Sequence, residues 1–353
     1  MESKGEKKRL ATWKRVIIIS ICILLALVIL LFAAAGIYIN YLMSRMDRID
    51  SDVSRLNSSE VDHLLQSDPD LQPVDPSESL PDISDITFPT EPDPPVEIPK
   101  HVINVLLIGL DETVPNVRAR SDSMILLTAN THAKTVTFTS FMRDSYVQIP
   151  GYSPNKLNHA YQYGGAPLLC ETLKANFGVE IDGAIEINFT SFTTIIDMLG
   201  GVEISLTEAE ARYMNHPSQW GLTKGVNRLT GEQALVYARL REIDSDYQRS
   251  ERQRTVLMAL VNAYKNQPPL EMLDLLDDIM PFLSTDMSTD EMWDYGSKVV
   301  WMMAGARYTS QRLPADGTFS QGNVQVRPGL KAWFQYNIDF QANREILRRI
   351  FEE

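Results

Sequence analysis

The stretch INVLLIGL at residues 103–110 decides the fold of this chain, because it is an almost continuous apolar run. Such a run is typical of a strand that is buried on both faces of a sheet. Two further stretches, at residues 124–128 and 135–140, also predict strands. The sequence therefore predicts a central sheet that begins soon after residue 101.

Helices and strands alternate along the chain that follows. The spacing of apolar residues predicts helices at 167–177 and 189–199 and strands at 183–188 and 202–206. Residues 230–233 have the form of a capping box and predict a short helix that runs toward Tyr237. Beyond Leu270 the pattern is helical, with edge strands expected at 311–314 and 323–326. This alternation predicts an α/β fold, a three-layer α/β/α sandwich with a central mixed sheet.

The N-terminal segment has the pattern of a membrane anchor. No charged residue occurs from Val16 to Ser44, a length that can cross a bilayer. Six Lys and Arg residues precede this run, which predicts a cytoplasmic N-terminus and an extracytoplasmic remainder. A cleaved signal peptide is the competing interpretation, because residues 33–35 (Ala-Ala-Ala) mimic a cleavage site, but the apolar run is too long for one. We therefore expect a single-pass cell-membrane protein with a signal anchor, the transmembrane helix preceding the sandwich.

Two segments connect this anchor to the predicted domain. Leu42, Met46, Ile49, Val53 and Leu56 recur with 4-3-4-3 spacing, which predicts that the membrane helix continues outward as a short coil. Residues 68–100 are rich in Pro, Asp, Glu and Ser and predict an extended spacer without a core. The predicted organisation is a basic cytoplasmic tail at 1–15, a transmembrane helix at 16–44, a juxtamembrane helix and acidic Pro-rich linker at 45–100, and an extracytoplasmic catalytic domain at 101–353.

Charge and missing motifs narrow the function. The formal net charge is −13, which argues against a nucleic-acid partner. Cys22 lies in the predicted membrane span and Cys170 beyond it, so we expect no internal disulfide. The sequence contains no P-loop, Gly-x-Ser-x-Gly elbow, His-Glu-x-x-His or Cys-x-x-Cys pattern. Nucleotide motors, triad hydrolases and zinc enzymes are therefore poorly supported.

Residues 239–254 contain five arginines. On a helix that begins near Asp246, one face carries Arg249, Gln253, Leu257, Leu260 and Tyr264. A guanidinium on an inward face is costly unless an anion meets it, and its planar fork of donors suits phosphate oxygens. We interpret this face as the wall of a phosphate site. The alternative is a solvated charged helix with internal Asp–Arg pairs.

Two aspartates flank strand ends. Asp111 follows the apolar strand at 103–110, and Asp122 precedes the strand at 124–128. Ends of buried strands are where α/β sheets place ligands. Two carboxylates brought together there repel each other unless a cation joins them, and Mg²⁺ is often held by one or two carboxylates plus phosphate oxygens. The alternative is that the two acids cap neighbouring turns.

Further polar candidates follow the strand at 135–140. Arg143 lies just beyond its end, and the alternative for this residue is a surface pair with Asp144. Residues 155–165 are dense in polar and aromatic groups, including Lys156 and Asn158. They suit a sugar or phosphate site, and the alternative is a helix start followed by a Gly-Gly turn.

Taken together, five motifs resemble the LytR-CpsA-Psr family: residues 104–111, 120–123, 141–144, 156–161 and 239–254. Their order and spacing match, as does the arrangement of basic N-terminus, membrane span, linker and outer domain. The resemblance implies a membrane-anchored phosphotransferase of a Gram-positive-type bacterium. Such an enzyme moves a glycopolymer, for instance teichoic acid or capsule, from a polyprenyl-pyrophosphate carrier onto a peptidoglycan sugar hydroxyl.

The resemblance also implies residue roles. Asp111 and Asp122 would lie near Mg²⁺, with Mn²⁺ as an alternative ion, and Arg143, Arg239, Arg241, Arg249 and Gln253 would bind pyrophosphate. Asp111, Asp122, Arg143 and Arg249 are the expected catalytic residues, with Arg120, Lys156 and Asn158 in supporting places. Guanidinium groups and Mg²⁺ stabilise charge on a leaving phosphate, while the general base stays open. The alternatives are a glycolipid pyrophosphatase and a non-catalytic glycolipid-binding or regulatory membrane protein.

Overall fold

The computed structural model describes residues 36–49, 53–66, 68–86, 88, 96–111, 118–216, 218–241, 243, 246–303 and 305–352. The chain divides into two compact units, Met1–Arg45 and Met46–Glu353. In the first unit, residues 36–44 are helical. Most of the predicted membrane span, residues 16–35, lies outside the described residues. Among the helices that are described, none is both long and apolar enough to cross a bilayer.

The second unit alternates strands and helices, as the sequence predicts. Its strands are β1 (Asp47–Arg48), β2 (Gln72–Pro73), β3 (Val102–Asp111), β4 (Arg120–Asn130), β5 (Thr135–Phe141), β6 (Tyr146–Val147), β7 (Asn155–Lys156), β8 (Gly183–Asn188), β9 (Val202–Leu206), β10 (Gly225–Leu229), β11 (Ser284–Thr285), β12 (Arg307–Leu313), β13 (Ser320–Arg327) and β14 (Leu330–Tyr336). Its α-helices are α1 (Ser58–Gln66), α2 (Leu157–Phe177), α3 (Phe189–Met198), α4 (Glu208–Met214), α5 (Gly231–Arg239), α6 (Asp246–Lys265), α7 (Pro269–Ile279), α8 (Thr289–Met303) and α9 (Phe340–Glu352).

A mixed sheet forms the centre of this unit, with the strand order β1-β11-β8-β3-β4-β5-β12. Strand β3 runs antiparallel to β4 and parallel to β8, and β12 runs parallel to β5 at one edge. The predicted mixed sheet is confirmed. Because β3 lies between two neighbours and under helices, its apolar run is buried almost throughout.

Helices flank the sheet on both faces, since alternate residues of β3 pack into different clusters. Leu106 and Ile108 are fully buried in a cluster with residues of α2 and α9. Ile103 and Val105 point the other way, into a cluster with residues of α6 and α8. Burying each large aliphatic side chain contributes about 1.5–3 kcal/mol. The two clusters therefore hold in place the ends of β3 and β4, where Asp111 and Asp122 lie.

The predicted coil beyond the membrane helix is wrong. The helix ends at residue 44, β1 joins the central sheet through β11, and a new helix, α1, begins at Ser58. Asn57 causes this new start, because its side-chain oxygen accepts the N–H groups of Ser59 and Glu60. Ile49 and Leu56, two of the spaced apolar residues, pack against the core of the second unit.

The expected extended spacer at 68–100 is also wrong over its described part. Strand β2 pairs with β14, and apolar residues of the segment pack against Tyr146, Val324 and Phe334. These apolar residues are Leu71, Ile83, Ile86 and Phe88. A Pro- and Asp-rich composition cannot build a core alone, but a few apolar side chains suffice where a sheet already offers a surface to cover.

The C-terminal part and one helix differ from the sequence expectations. Strand β14 and helix α9 were not predicted, whereas the predicted edge strand at 311–314 falls on β12, which ends at Leu313, and the one at 323–326 lies within β13. Helix α2 starts ten residues before the predicted Pro167, at Leu157. It is kinked at Gly164 and Gly165, and Gly165 has a φ of 66° that favours glycine. The kink lets Pro167 begin the second half of the helix without losing a hydrogen bond.

Candidate functional site

A cavity of about 1110 Å³ opens at the end of β3. Much of its wall is apolar, with Ile125, Ile185, Ile195, Val256, Leu257 and Leu260 among the lining residues. The residues of its polar part include Asp111, Arg120, Asp122, Arg143, Arg239, Arg241, Arg249 and Gln253. The side chains of Arg239 and Arg241 are 48% and 45% exposed, so this polar part opens to solvent. We call it the mouth of the cavity.

A β-bulge brings the two aspartates to the mouth. Asp111 is the register partner of Arg120, while Gly109 pairs with Ser123 and Leu110 with Ser121, which leaves Asp122 as the extra residue of β4. Bulges of this kind re-aim a side chain and are common beside functional sites. A Cβ atom on Gly109 would lie 3.0 Å from that of Ser123, so glycine allows the close approach.

Arginines surround Asp122. Arg143 Nη1 donates to Asp122 Oδ1 at 2.7 Å, and Arg241 Nη2 lies 4.0 Å from Oδ2. Burial alone would raise the pKa of Asp122, but the charges of Arg143, Arg249 and Arg241 outweigh it and hold the pKa below its usual value. The carboxylate is therefore ionised at neutral pH.

A second carboxylate shares Arg143. Arg143 Nε lies 3.4 Å from Asp144 Oδ2, and Lys156 Nζ lies 2.9 Å from Asp144 Oδ1. Burial works to raise the pKa of Asp144, and Arg143 and Lys156 lower it further than burial raises it. The Arg143–Asp144 pair foreseen as an alternative thus exists beside the Asp122 contact, since residues 143–144 form a turn, but it is buried rather than on the surface.

Four of the five residues of the predicted inward face of α6 line the cavity, and the fifth, Tyr264, packs against a neighbouring apolar cluster instead. Arg249, Gln253, Leu257 and Leu260 all border the cavity, and Arg249 is only 3% exposed. From the preceding segment, Arg239 reaches the mouth: its Nη2 lies 3.7 Å from Asp111 Oδ2, and its guanidinium lies 4.4 Å from the ring centre of Phe189. Polar groups at one end and apolar groups further along α6 give the cavity its two chemical parts.

Two arginines of the same run have structural contacts. Arg252 Nε donates to Glu210 Oε1 at 2.7 Å, and its Nη1 donates to the carbonyl oxygen of Leu240. Arg254 Nη1 donates to Ser140 Oγ at 2.9 Å. Both arginines are buried and neither lines the cavity. The run therefore divides into arginines at the cavity and arginines that hold α6 in place.

Lys156 and Asn158 lie behind the mouth. Lys156 contacts Asp144 and lines a smaller cavity next to the large one. Asn158 is fully buried, and its N–H donates to the carbonyl oxygen of Arg143 at 3.3 Å. Asn158 therefore contacts the backbone of Arg143 and does not line the cavity.

Sequence reasoning missed the acidic residues that the linker contributes. Arg120 lies 3.1 Å from Asp68 Oδ1 and 3.3 Å from Asp70 Oδ2, and Lys156 Nζ is 3.0 Å from Asp70 Oδ2. His159 Nε2 lies 3.4 Å from Asp68 Oδ2. The one available signal was charge complementarity between an acidic linker and a basic motif, and sequence spacing does not reveal such a pairing.

The carboxylates at the mouth suit a divalent cation whose remaining ligands come from a bound substrate. Within the described ranges, no group of three or more His, Cys, Asp or Glu side chains is placed to hold a metal alone. Asp111 and Asp122 line the same cavity, and the lowered pKa of Asp122 keeps its carboxyl ionised, which is the form that a metal ion requires. Mg²⁺ typically takes one or two carboxylates and completes its shell with phosphate oxygens and water.

A mixed sheet with an apolar cavity and an arginine-rich mouth defines a protein suited to an amphiphile with an anionic head group. The chain belongs to the LytR_cpsA_psr family, whose model matches residues 82–332. This match begins within the predicted linker, in agreement with the packing of that segment.

Similar proteins point in the same direction. The chain is 36% identical, over 190 residues, to the polyisoprenyl-teichoic acid–peptidoglycan teichoic acid transferase TagT of Bacillus subtilis, covering 51% of this chain and 58% of that protein. It is 32% identical to the corresponding transferase TagU of Bacillus licheniformis, covering 65% of this chain and 74% of that protein. A solved structure of TagT bound to LIIa-WTA superposes with a TM-score of 0.57 at 27% identity, covering 72% of this chain and 90% of that one. These names agree with the transferase function that the sequence predicts.

Proposed function

We propose that this protein transfers a glycopolymer from a polyprenyl-pyrophosphate carrier onto a peptidoglycan sugar hydroxyl. One observation carries the proposal: a single cavity joins a long apolar wall to a mouth whose lining includes Arg120, Arg143, Arg239, Arg241 and Arg249. An isoprenoid chain suits the wall and a pyrophosphate suits the mouth. The transferases named among its relatives support this substrate class.

The arginines would bind and orient the pyrophosphate. Arg249, almost fully buried, offers its guanidinium where water is largely excluded, and there an ionic hydrogen bond is strong. Arg239 and Arg241 are half exposed and would meet the donor as it enters. Arg143 already holds one carboxylate oxygen of Asp122 at 2.7 Å, so its side chain is oriented before any substrate arrives.

In the reaction, the acceptor hydroxyl releases its proton, to solvent or to the leaving phosphate, and its oxygen bonds to the phosphorus next to the glycopolymer. The bond from that phosphorus to the bridging oxygen breaks, and lipid monophosphate leaves. Negative charge grows on the bridging oxygen, where the guanidinium groups stabilise it more in the transition state than in the bound donor. Carbon atoms of the lipid, held by the apolar wall, keep the leaving phosphate in line.

We further propose that Asp111 and Asp122 hold Mg²⁺, with Mn²⁺ as a substitute. When bound, the ion would neutralise part of the charge on the pyrophosphate. The bulge that places Asp122 beside the end of β3 and the lowered pKa of its carboxyl support this role. The uncharged stretch at residues 16–44 supports a membrane anchor, with the catalytic domain outside the cell membrane.

The test uses the full-length protein in detergent with Mg²⁺, a synthetic polyprenyl-pyrophosphate glycan and peptidoglycan oligomers. Mass spectrometry should detect the glycan joined to the oligomer through a phosphate. Removing Mg²⁺ with EDTA should stop the reaction, and Asp111→Asn should raise the Mg²⁺ concentration needed to restore it by about tenfold. Release of lipid phosphate at the same rate without the acceptor would instead identify a pyrophosphatase, and tight donor binding without turnover would identify a receptor.

A further inference from the structure

A second cavity, of about 500 Å³, adjoins the mouth. The two cavities share Pro69, Asp70, Arg143 and Arg241. Lining residues that belong to the smaller cavity alone include Gln72, Tyr247, Gln321, Trp333 and Gln335. Among the described residues, none of the apolar wall of the large cavity lines the smaller one. The smaller cavity, which we call the groove, therefore extends from Arg143 and Arg241 in a different direction from the large cavity.

One face of a small sheet forms much of the groove. The sheet has the order β13-β14-β2 and buries Val324, Ala332 and Phe334 on its inner face. Because side chains alternate along a strand, Trp333 and Gln335 lie on its other face. The register places Gln321 opposite Gln335 and Asn323 opposite Trp333. The groove face thus combines an aromatic ring with several side-chain amides.

This combination suits a saccharide. A sugar ring has an apolar face of C–H groups, which packs on an indole, and an edge of hydroxyls, which both donate and accept hydrogen bonds. Trp333 is 44% exposed although it is large and apolar. Amide side chains also donate and accept. The Tyr247 hydroxyl donates to Gln321 Oε1 at 2.6 Å and thereby orients one of these amides.

We propose that the groove binds the acceptor sugar of the peptidoglycan strand, with Trp333 as its stacking platform. This inference rests on the proposed transferase function and deepens it. In an in-line displacement, the attacking oxygen approaches the phosphorus from the side away from the leaving group. The leaving lipid phosphate is held toward the apolar wall, so the acceptor must arrive from another direction. The groove supplies that direction and ends at Arg143 and Arg241.

Trp333→Ala tests the groove, and Trp293→Ala on α8 is a matched control. Trp293 is 39% exposed and lines neither cavity. With the full-length protein in detergent, Trp333→Ala should raise the KM for peptidoglycan oligomers about tenfold, the loss of roughly one aromatic contact. The donor KM and the rate at saturating acceptor should stay near those of the wild type. Trp333→Phe should recover part of the acceptor affinity, and Trp293→Ala should change neither KM.

A binding measurement separates this inference from the proposed function. Saturation-transfer NMR with peptidoglycan oligomers, without donor, should show contact with the wild type and with Trp293→Ala and a loss with Trp333→Ala. That result would support the groove even if no transfer were detected, in which case only the transferase proposal would fail. An unchanged acceptor KM with unchanged binding would overturn the groove assignment. A raised donor KM with an unchanged acceptor KM would overturn it in favour of the donor's own sugar. Gln321→Ala repeats the test if Trp333→Ala does not fold.

Discussion

Replacing Arg143 with Ala should damage both the stability and the activity of the protein, by different mechanisms. Arg143 has an 11% exposed side chain between the carboxylates of Asp122 and Asp144, which are 17% and 8% exposed. Its removal leaves two buried negative charges with fewer partners. It also removes a donor from the place where charge develops in the proposed reaction.

The stability cost follows from the contacts that remain. Breaking a buried ion pair by removing one partner typically costs about 3–5 kcal/mol. Lys156 still neutralises Asp144, and Arg241 and Arg249 still act on Asp122. We therefore expect a smaller loss, about 2–3 kcal/mol in the free energy of unfolding. For a domain of this size, that loss lowers the Tm by roughly 3–6 °C.

Arg143→Lys is the matched control, because it keeps a positive charge between the carboxylates. It should recover most of the lost Tm. Lysine lacks the planar fork of donors, so the transfer rate should stay at least about tenfold below that of the wild type. Arg143→Ala should lose about 10²–10³-fold in kcat, the usual effect of removing one transition-state donor.

Both variants are assayed at a temperature well below the lower Tm, with circular dichroism as a check on folding. Transfer is followed by mass spectrometry of the joined product. If the Ala variant is folded and turns over like the wild type, Arg143 does not act on the reacting phosphate. If the Lys variant regains full activity together with its Tm, the role of Arg143 is only to balance the two carboxylates.

Three further predictions concern the lipid wall, the pH dependence and the linker. Leu260→Trp narrows the apolar wall, so it should raise the KM for a long-chain prenyl donor at least about tenfold while sparing a short-chain donor, as initial rates with both donors would show. Burial lowers the pKa of His159 from 6.5 despite Asp68, so the unfolded chain binds more protons below this pH. The free energy of unfolding should therefore decrease as the pH drops below about 6.5, by at most about 1.4 kcal/mol per pH unit. Chemical denaturation of the His159→Gln variant should not show this decrease. A chain starting at residue 46 should keep the Tm of the second unit, whereas one starting at residue 101 loses β2 and the cover of β14 and should melt at least about 5 °C lower in calorimetry.

The sequence predicted those parts of the fold whose signal is local. The apolar run at 103–110 predicted a strand buried on both faces, because a half-exposed strand would show alternating polar and apolar residues. The face of α6 followed from helical periodicity, and residues from Arg249 to Leu260 border the cavity as that periodicity requires. Local patterns thus gave the central sheet and one wall of the site.

Features that depend on long-range pairing were not predictable in this way. Strand β2 is two residues long and forms only because β14 offers it an edge. Asp68 and Asp70 reach Arg120 across about fifty residues of sequence, and the acidic composition of the linker does not indicate which basic residue they contact. The groove likewise depends on Trp333 lying opposite Asn323 in a hairpin that the sequence pattern indicated on one strand only.

Several of the mouth arginines pair with an acid, and these pairs explain how an acidic chain can hold an anion site. Arg143 is balanced by Asp122 and Asp144, Arg239 by Asp111, and Arg120 by the linker acids. These pairs keep the guanidinium groups ordered without a ligand, but a pyrophosphate must compete with the carboxylates for them. A cation held by Asp111 and Asp122, as proposed, would weaken that competition and release the arginines toward phosphate. Metal and donor would then each raise the affinity of the other by the same factor, because linkage between binding sites is reciprocal.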